Sequence, residues 1–224
     1  MTMFERRDLL SGCRAAVAGT VLIVMLSLAA DRAHAQATVE TPAGSTVEAA
    51  DDALLAEAFV GAVDDELFIG VLVADHPAEP DRKTLVVYLC DGAGVSTWLF
   101  ADAMGDSAVA QQGGTSIEMS LTDAGVHGVL DRAGASPQLF VAGVADDLAG
   151  LYRAVETIDG REYVGGWIVL NDGRQRGAIT LDGAIVDHPT LDPSTKQAVS
   201  SVGTFGSNCF RDPRTGDRIC RYMN

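Results

Sequence analysis

Outside the first 35 residues the chain has three histidines, His76, His127 and His188, and two of them stand in the same tripeptide, Asp75-His76-Pro77 and Asp187-His188-Pro189. A carboxylate beside an imidazole is the raw material of a general base or a metal ligand set. Adjacent residues on a strand point to opposite faces, however, so neither pair chelates as a unit. Zinc needs three or four ligands, and only His127 is left to join them. Each tripeptide follows an apolar run and ends in proline, the pattern of a strand leaving for a loop. Ser96 is preceded by Gly92-Ala93-Gly94-Val95 but lacks the Gly-x-Ser-x-Gly turn that presents a hydrolase nucleophile. The glycines at 92 and 94 also lack the Gly-Lys sequence of a phosphate cradle. No catalytic residue, metal site or cofactor is therefore expected.

Cysteine chemistry points elsewhere. If Asp212 to Asp217 turns a terminal hairpin, Cys209 falls opposite Cys220, Phe210 opposite Ile219 and Arg211 opposite Arg218, which brings the two thiols within bridging reach. Cys90, inside Leu85-Val86-Val87-Tyr88-Leu89-Cys90, reads as a buried structural thiol. Arg211, Arg214, Arg218 and Arg221 crowd the same hairpin. They are solvated, dock on an anionic partner, or fold back on the acidic first part of the chain.

The elements that must position these groups are short and β-rich. Runs at 59–63, 67–74, 84–90, 116–121, 126–130, 138–144, 151–158, 162–170 and 174–181 are separated by turn signals. Asp159-Gly160 and Asn171-Asp172-Gly173 suit tight hairpins, so consecutive strands are expected to pair antiparallel. The fold class is mainly all-β, an antiparallel meander closed as a small barrel or folded as a two-sheet sandwich. Ser45-Thr46-Val47-Glu48 matches a capping box and predicts a short helix over 46–57. Asp192-Pro193 predicts a second helix before the final hairpin. In a barrel with an open mouth, Trp98, Phe100, Tyr152 and Trp167 are the candidates for lining a ligand cavity.

Residues 1–35 have the form of an export signal. Arg6, Arg7 and Arg14 precede an apolar run from Ala15 to Ala30, and Ala33-His34-Ala35 is a small-x-small cleavage pattern. That run is shorter than the roughly 20 residues of a comfortable membrane span. Arg6-Arg7 followed by Leu9-Leu10 resembles a twin-arginine signal, with Glu5 where Ser or Thr is usual, so both export routes stay open. Leu10-Ser11-Gly12-Cys13 precedes the apolar run and so is misplaced for a lipidated cysteine. Residues 36–45 form a linker and 46–224 a single β-rich domain. The protein is thus expected to be exported, periplasmic or extracellular.

Net charge is −15. Nearly all of it belongs to residues 36–150, which hold nineteen acids against only Arg82, Lys83 and Arg132. Such a chain is a poor partner for nucleic acid or anionic lipid, and contact with a membrane is expected only through the export signal.

The blocks Val87-Tyr88-Leu89-Cys90-Asp91-Gly92, Leu151-Tyr152-Arg153-Ala154 and Gly165-Gly166-Trp167-Ile168-Val169-Leu170-Asn171-Asp172-Gly173-Arg174-Gln175 are similar to the "YVCDG", "LYRA" and "GGWIVLxDGRQ" blocks of uncharacterised exported bacterial β-rich proteins. The resemblance implies a shared β fold and no activity. The expected function is a non-enzymatic exported protein that binds a small ligand or an envelope partner. A secreted hydrolase with a loop-assembled site, or a structural or inhibitory envelope protein, is the alternative. Intact-mass measurement of material from its native compartment is expected to show a chain beginning near Gln36, and retention of Met1 to Ala35 would establish a signal anchor instead.

Overall fold

The computed structural model describes residues 53–76, 79–207 and 209–221. They lie within one compact unit, 47–224. The expected signal (1–35) and linker (36–45) fall outside the described residues.

Eight strands follow one another as an antiparallel meander: β1 (Leu54–Ala62), β2 (Phe68–His76), β3 (Glu79–Cys90), β4 (Ser96–Met104), β5 (Ser107–Gln112), β6 (Thr115–Thr122), β7 (Gly125–Arg132) and β8 (Gln138–Val144). Pairing of Phe59 with Val144 and of Val60 with Gly143 closes β1 onto β8, so the sheet is a barrel. Alternation then sorts the side chains. Leu85, Val87 and Leu89 of β3, Leu99 of β4, Ile117 and Met119 of β6, Leu130 of β7 and Phe140 of β8 fill the interior. Closure requires close backbone approach at glycine: a Cβ on Gly61 would lie 2.1 Å from the Val141 carbonyl oxygen, and one on Gly128 would lie 2.0 Å from that of Glu118.

One end of the barrel is tied across by a polar chain. Arg132 Nη2 donates to Gln138 Oε1 at 3.2 Å, and Gln138 Nε2 donates to Asp64 Oδ2 at 2.9 Å. Asp64 Oδ1 accepts from the backbone N–H groups of Glu66 and Leu67. The Leu67 bond leads the Gln138 and Glu66 bonds in holding the Asp64 carboxyl below its usual range, against a small cost of burial.

A second sheet runs β12 (Ala184–Asp187), β11 (Gln175–Leu181), β10 (Arg161–Val169), β9 (Gly150–Ile158) in spatial order. Its hairpins turn where the sequence signals them, with Asp159 and Gly160 both at positive φ, 52° and 75°. One face covers the outside of the barrel wall: Phe68 and Leu72 of β2 and Val86 and Tyr88 of β3 pack with Leu151, Ile168 and Ala178. The other face is covered by a third, small sheet of β13 (Leu191–Asp192), β14 (Gln197–Val199) and β15 (Thr204–Gly206), which brings Leu191, Ala198 and Phe205 onto Trp167.

Both expected helices are corrected, and the described residues contain none. Residues 54–57 of the segment expected to start with a capped helix belong to β1, where Ala56, Ala58 and Val60 alternate onto the outer wall and seven residue pairs join β2. The capping box itself lies outside the described residues. At the second site Asp192 does accept from the Ser194 and Thr195 N–H groups. Lys196 then turns to φ 57°, and Gln197 to Val199 pair on both sides. Ladder bonds win where helix capping would have satisfied fewer groups.

The terminal hairpin pairs as its spacing predicts. β16 (Phe210–Arg211) and β17 (Arg218–Arg221) set Phe210 opposite Ile219 and Arg211 opposite Arg218, with a Cys209–Cys220 disulfide. β17 joins β1 in parallel. Phe210 lies edge-on to Trp98 at 5.4 Å, and the Arg214 guanidinium reaches Asp102 Oδ1 and the Ala101 carbonyl oxygen, both at 3.2 Å. Of the options open to this basic tip, Arg214 folds back on the acidic part of its own chain.

Asp212 anchors that contact from full burial. Burial opposes its charge, but the Arg214 guanidinium and backbone N–H outweigh it and hold the carboxyl below its ordinary range. Its stabilising contribution is therefore complete above the unfolded pKa near about 4 and is lost as pH falls through the lower folded value. Asp212→Asn is expected to lower stability at pH 7 by about 1–3 kcal/mol in urea unfolding, and that gap should narrow progressively as pH falls below about 4.

Candidate functional site

Aromatic side chains on a barrel strand point inward or outward by parity, and this decides the four cavity candidates. Trp98 and Phe100 stand on the outer face of β4, half-buried against the second sheet. Trp98 stacks on Tyr88 at 4.1 Å between ring centroids, and Arg153 lies 5.6 Å above it. Tyr152 and Trp167 are register partners on β9 and β10, packed toward the third sheet. Trp167 is fully buried, donates from Nε1 to the Pro189 carbonyl, and lies in a slot left by Gly165 and Gly177, whose added Cβ atoms would fall 2.3 and 2.0 Å from the indole. Trp98, Phe100, Tyr152 and Trp167 thus join layers and do not line a barrel mouth. The aliphatic residues Leu99, Ala101 and Ala103, not aromatics, took the inward positions of β4.

The other chemistry-bearing residues are held in local structure. Asp75 pairs with Lys83 at 3.1 Å, and His76 Nδ1 lies 3.9 Å from Glu79. Asp187 accepts from the His188 N–H and from both the N–H and hydroxyl of Ser201, so its carboxylate fastens one loop to another. Ser96 Oγ lies 2.9 Å from the Tyr88 hydroxyl. Burial pushes the Cys90 thiol up, the opposite of what a nucleophile requires. No group of three or more His, Cys, Asp or Glu among the described residues is placed to hold a metal.

What stands out is the half of the barrel wall that no other described element covers. On β5 to β8 the outward residues form two rows across the strands. Val109, Glu118, Val129 and Leu139 are successive register partners in one, and Ser107, Ser120, His127 and Val141 in the other. Between them runs an open groove of about 580 Å³, floored by Ala108, Met119, Gly128 and Phe140. Strand geometry makes it about 7 Å wide and about 14 Å long. Its floor is part of the packed interior, yet its mixed walls hold apolar side chains in water: Leu139 is 79% exposed, Val141 70% and Val109 56%. Glu118 and His127 are its only titratable groups.

Sequence reasoning missed this face. The readable signal was Leu139-Phe140-Val141, three consecutive apolar residues on one strand, because the period of two then forces at least one of them outward. A covered wall would have absorbed them, as it absorbs Val86 and Tyr88 on β3.

Comparison of the chain with protein-family models, curated protein sequences and solved structures finds no match. The groove therefore stands on its own geometry.

Neighbours on β8 are expected to respond in opposite ways. Leu139→Ser should leave the unfolding free energy within about 0.5 kcal/mol of the wild type in urea titration, whereas Phe140→Ala should cost about 3–5 kcal/mol. An equal loss at Leu139 would mean that this face is already covered in the free protein.

Proposed function

We propose that the protein is an exported, non-enzymatic β-barrel module that binds an envelope or secreted protein through the outer face of β5 to β8. The observation that carries this reading is the set of exposed apolar side chains, Val109, Leu139 and Val141, on the half of the barrel wall that the second sheet does not cover. Monomeric soluble proteins seldom leave contiguous apolar surface to water without a use for it.

A protein partner is favoured over a small ligand by shape. Small-molecule sites enclose most of the ligand surface, whereas this groove is open along its length and the barrel interior is filled. Leu139 and Val141 stand as adjacent anchors that a partner side chain can straddle. The disulfide is compatible with an oxidising compartment, and no helix among the described residues is long and apolar enough to cross a membrane. Export itself rests on the character of residues 1–35 and on the resemblance of the three blocks to exported bacterial proteins.

Site-specific photo-crosslinking in the native compartment tests the reading. A crosslinker at Leu139 should give one discrete adduct, weakened by Val141→Asp and absent when the crosslinker stands at Val199, an equally exposed apolar position on β14. The same adduct from Val199, or none from Leu139, would overturn it. A band at twice the monomer mass would identify the partner as a second copy.

A further inference from the structure

The exposed wall of β5 to β8 is charged in one sense only. From Gly105 to Val144 the acids are Asp106, Glu118, Asp123 and Asp131, and the only lysine or arginine is Arg132. All four carboxylates are exposed. Glu118 and Asp131 stand on the outward side of β6 and β7, and Asp106 and Asp123 lie in the turns that lead into β5 and β7. Arg132 shares the parity of the inward residues Val126 and Leu130 and is turned to Gln138. The outward groups of this wall therefore include no lysine or arginine, and His127 is their only other titratable member.

Geometry limits what can lie in the groove. The row of Ser107, Ser120, His127 and Val141 continues onto β4 through Met104, the register partner of Ser107, which is 69% exposed. Apolar side chains thus stand at both ends of each row, Val109 and Leu139 in one and Met104 and Val141 in the other. Glu118 and His127 occupy opposite walls near the middle, on neighbouring strands. A helix with its side chains is about 10–12 Å across, too wide to enter a groove about 7 Å wide. An extended chain fits the width. Its residues i and i+4 share one face about 13 Å apart, close to the separation of about 14 Å between the β5 and β8 ends of the groove. Residue i+2 then faces Glu118.

We propose that the partner presents an extended cationic segment to this groove, with apolar side chains at i and i+4 and a lysine or arginine at i+2 against Glu118. This rests on the protein-binding reading of the wall and names the chemistry of its occupant. Opposite charge steers such a segment to the wall and turns acidic segments away. A second copy docked through the same face is disfavoured on the same ground, because twofold pairing brings Glu118 and Asp131 of both copies together.

The experiment is an amide-resolved NMR titration of the protein with two synthetic peptides. One is a nine-residue threonine peptide with leucine at its third and seventh positions and lysine at its first, fifth and ninth; the other has glutamate in place of lysine. The lysine peptide is expected to give saturable shifts at Ala108, Met119, Gly128 and Phe140, weakened in about 1 M sodium chloride, where the Debye length is about 3 Å. The glutamate peptide should give none. Glu118→Gln with Asp131→Asn should lower the lysine peptide's affinity about three- to tenfold. Asp159→Asn with Asp182→Asn, which removes the same charge from exposed turns of the second sheet, should leave it unchanged. No saturable shift with the lysine peptide, equal binding of the glutamate peptide, or an affinity indifferent to the Glu118 and Asp131 substitutions would each overturn the proposal. The photo-crosslinked adduct at Leu139 separates this failure from that of the broader reading. An adduct that survives Glu118→Lys with Asp131→Lys, or that has twice the monomer mass, overturns the cationic segment and leaves a protein partner standing, whereas no adduct at all overturns both.

Discussion

The structure depends on one constraint, that the wall formed by β2 and β3 is apolar on both faces. From Leu85 to Cys90 no side chain on either side of β3 retains any solvent exposure, and Phe68, Ile69, Val71 and Leu72 do the same on β2. A strand that is apolar on alternate residues needs one cover, but a strand that is apolar throughout needs two. Barrel closure supplies the inner cover, and the β9 to β12 sheet with the terminal hairpin supplies the outer one. The remaining elements follow from this demand. The hairpin bridged by Cys209 and Cys220 extends the cover over β1, and Arg214 fixes its far end to β4.

Close approach of the second sheet to the barrel depends on residues that lack side chains. Gly166 faces the barrel where Tyr88 and Trp98 stack, and a Cβ there would fall 2.6 and 2.7 Å from their rings. Gly165, next along the strand, faces the opposite way and leaves the slot for Trp167. The Gly-Gly-Trp run thus serves two interfaces at once, one on each face of β10. Asn171 adds a polar tie by accepting from Asp146 N–H and donating to the Val144 carbonyl, at the point where the chain passes from barrel to sheet. Gln175 repeats the device at Leu191, accepting from its N–H and donating to its carbonyl.

A one-sided cover leaves the other half of the barrel to do something else. β5 to β8 have ordinary alternation in their inner residues and a mixed outer face, apolar at Val109, Leu139 and Val141 and polar at Ser107, Glu118 and His127. The barrel end is the second uncommitted region: its loops are small and glycine-rich, with Arg132 oriented by Gln138 and Arg176 reaching the Glu66 carbonyl. A packed interior places both regions on the surface of a rigid scaffold, which keeps their geometry fixed when a partner arrives.

Period-two patterning and turn chemistry are local properties, and so they were legible in the chain. The nine expected strand runs lie within or largely overlap observed strands, the hairpin pairing of Cys209 with Cys220 came from counting residues across a turn, and Cys90 was placed as a buried thiol. The strands β4 and β5 escaped because Ser, Thr, Asp, Gln and Ala dilute their apolar alternation, and β12 to β15 because each is only two to four residues long, although all of them pair with their neighbours in sequence. Capping chemistry at Asp192 was present as read, but a turn uses the same hydrogen bonds as a helix start, and only the neighbouring strand decided between them. The choice of barrel over sandwich hangs on the β1 to β8 pairing, a contact some 85 residues apart along the chain that no local pattern encodes. Which apolar residues would be covered was likewise a tertiary decision. The sequence by itself determined that both Tyr88 and Val141 sit on β-strands; only the packing of a second sheet against one half of the barrel buried the first and left the second in water.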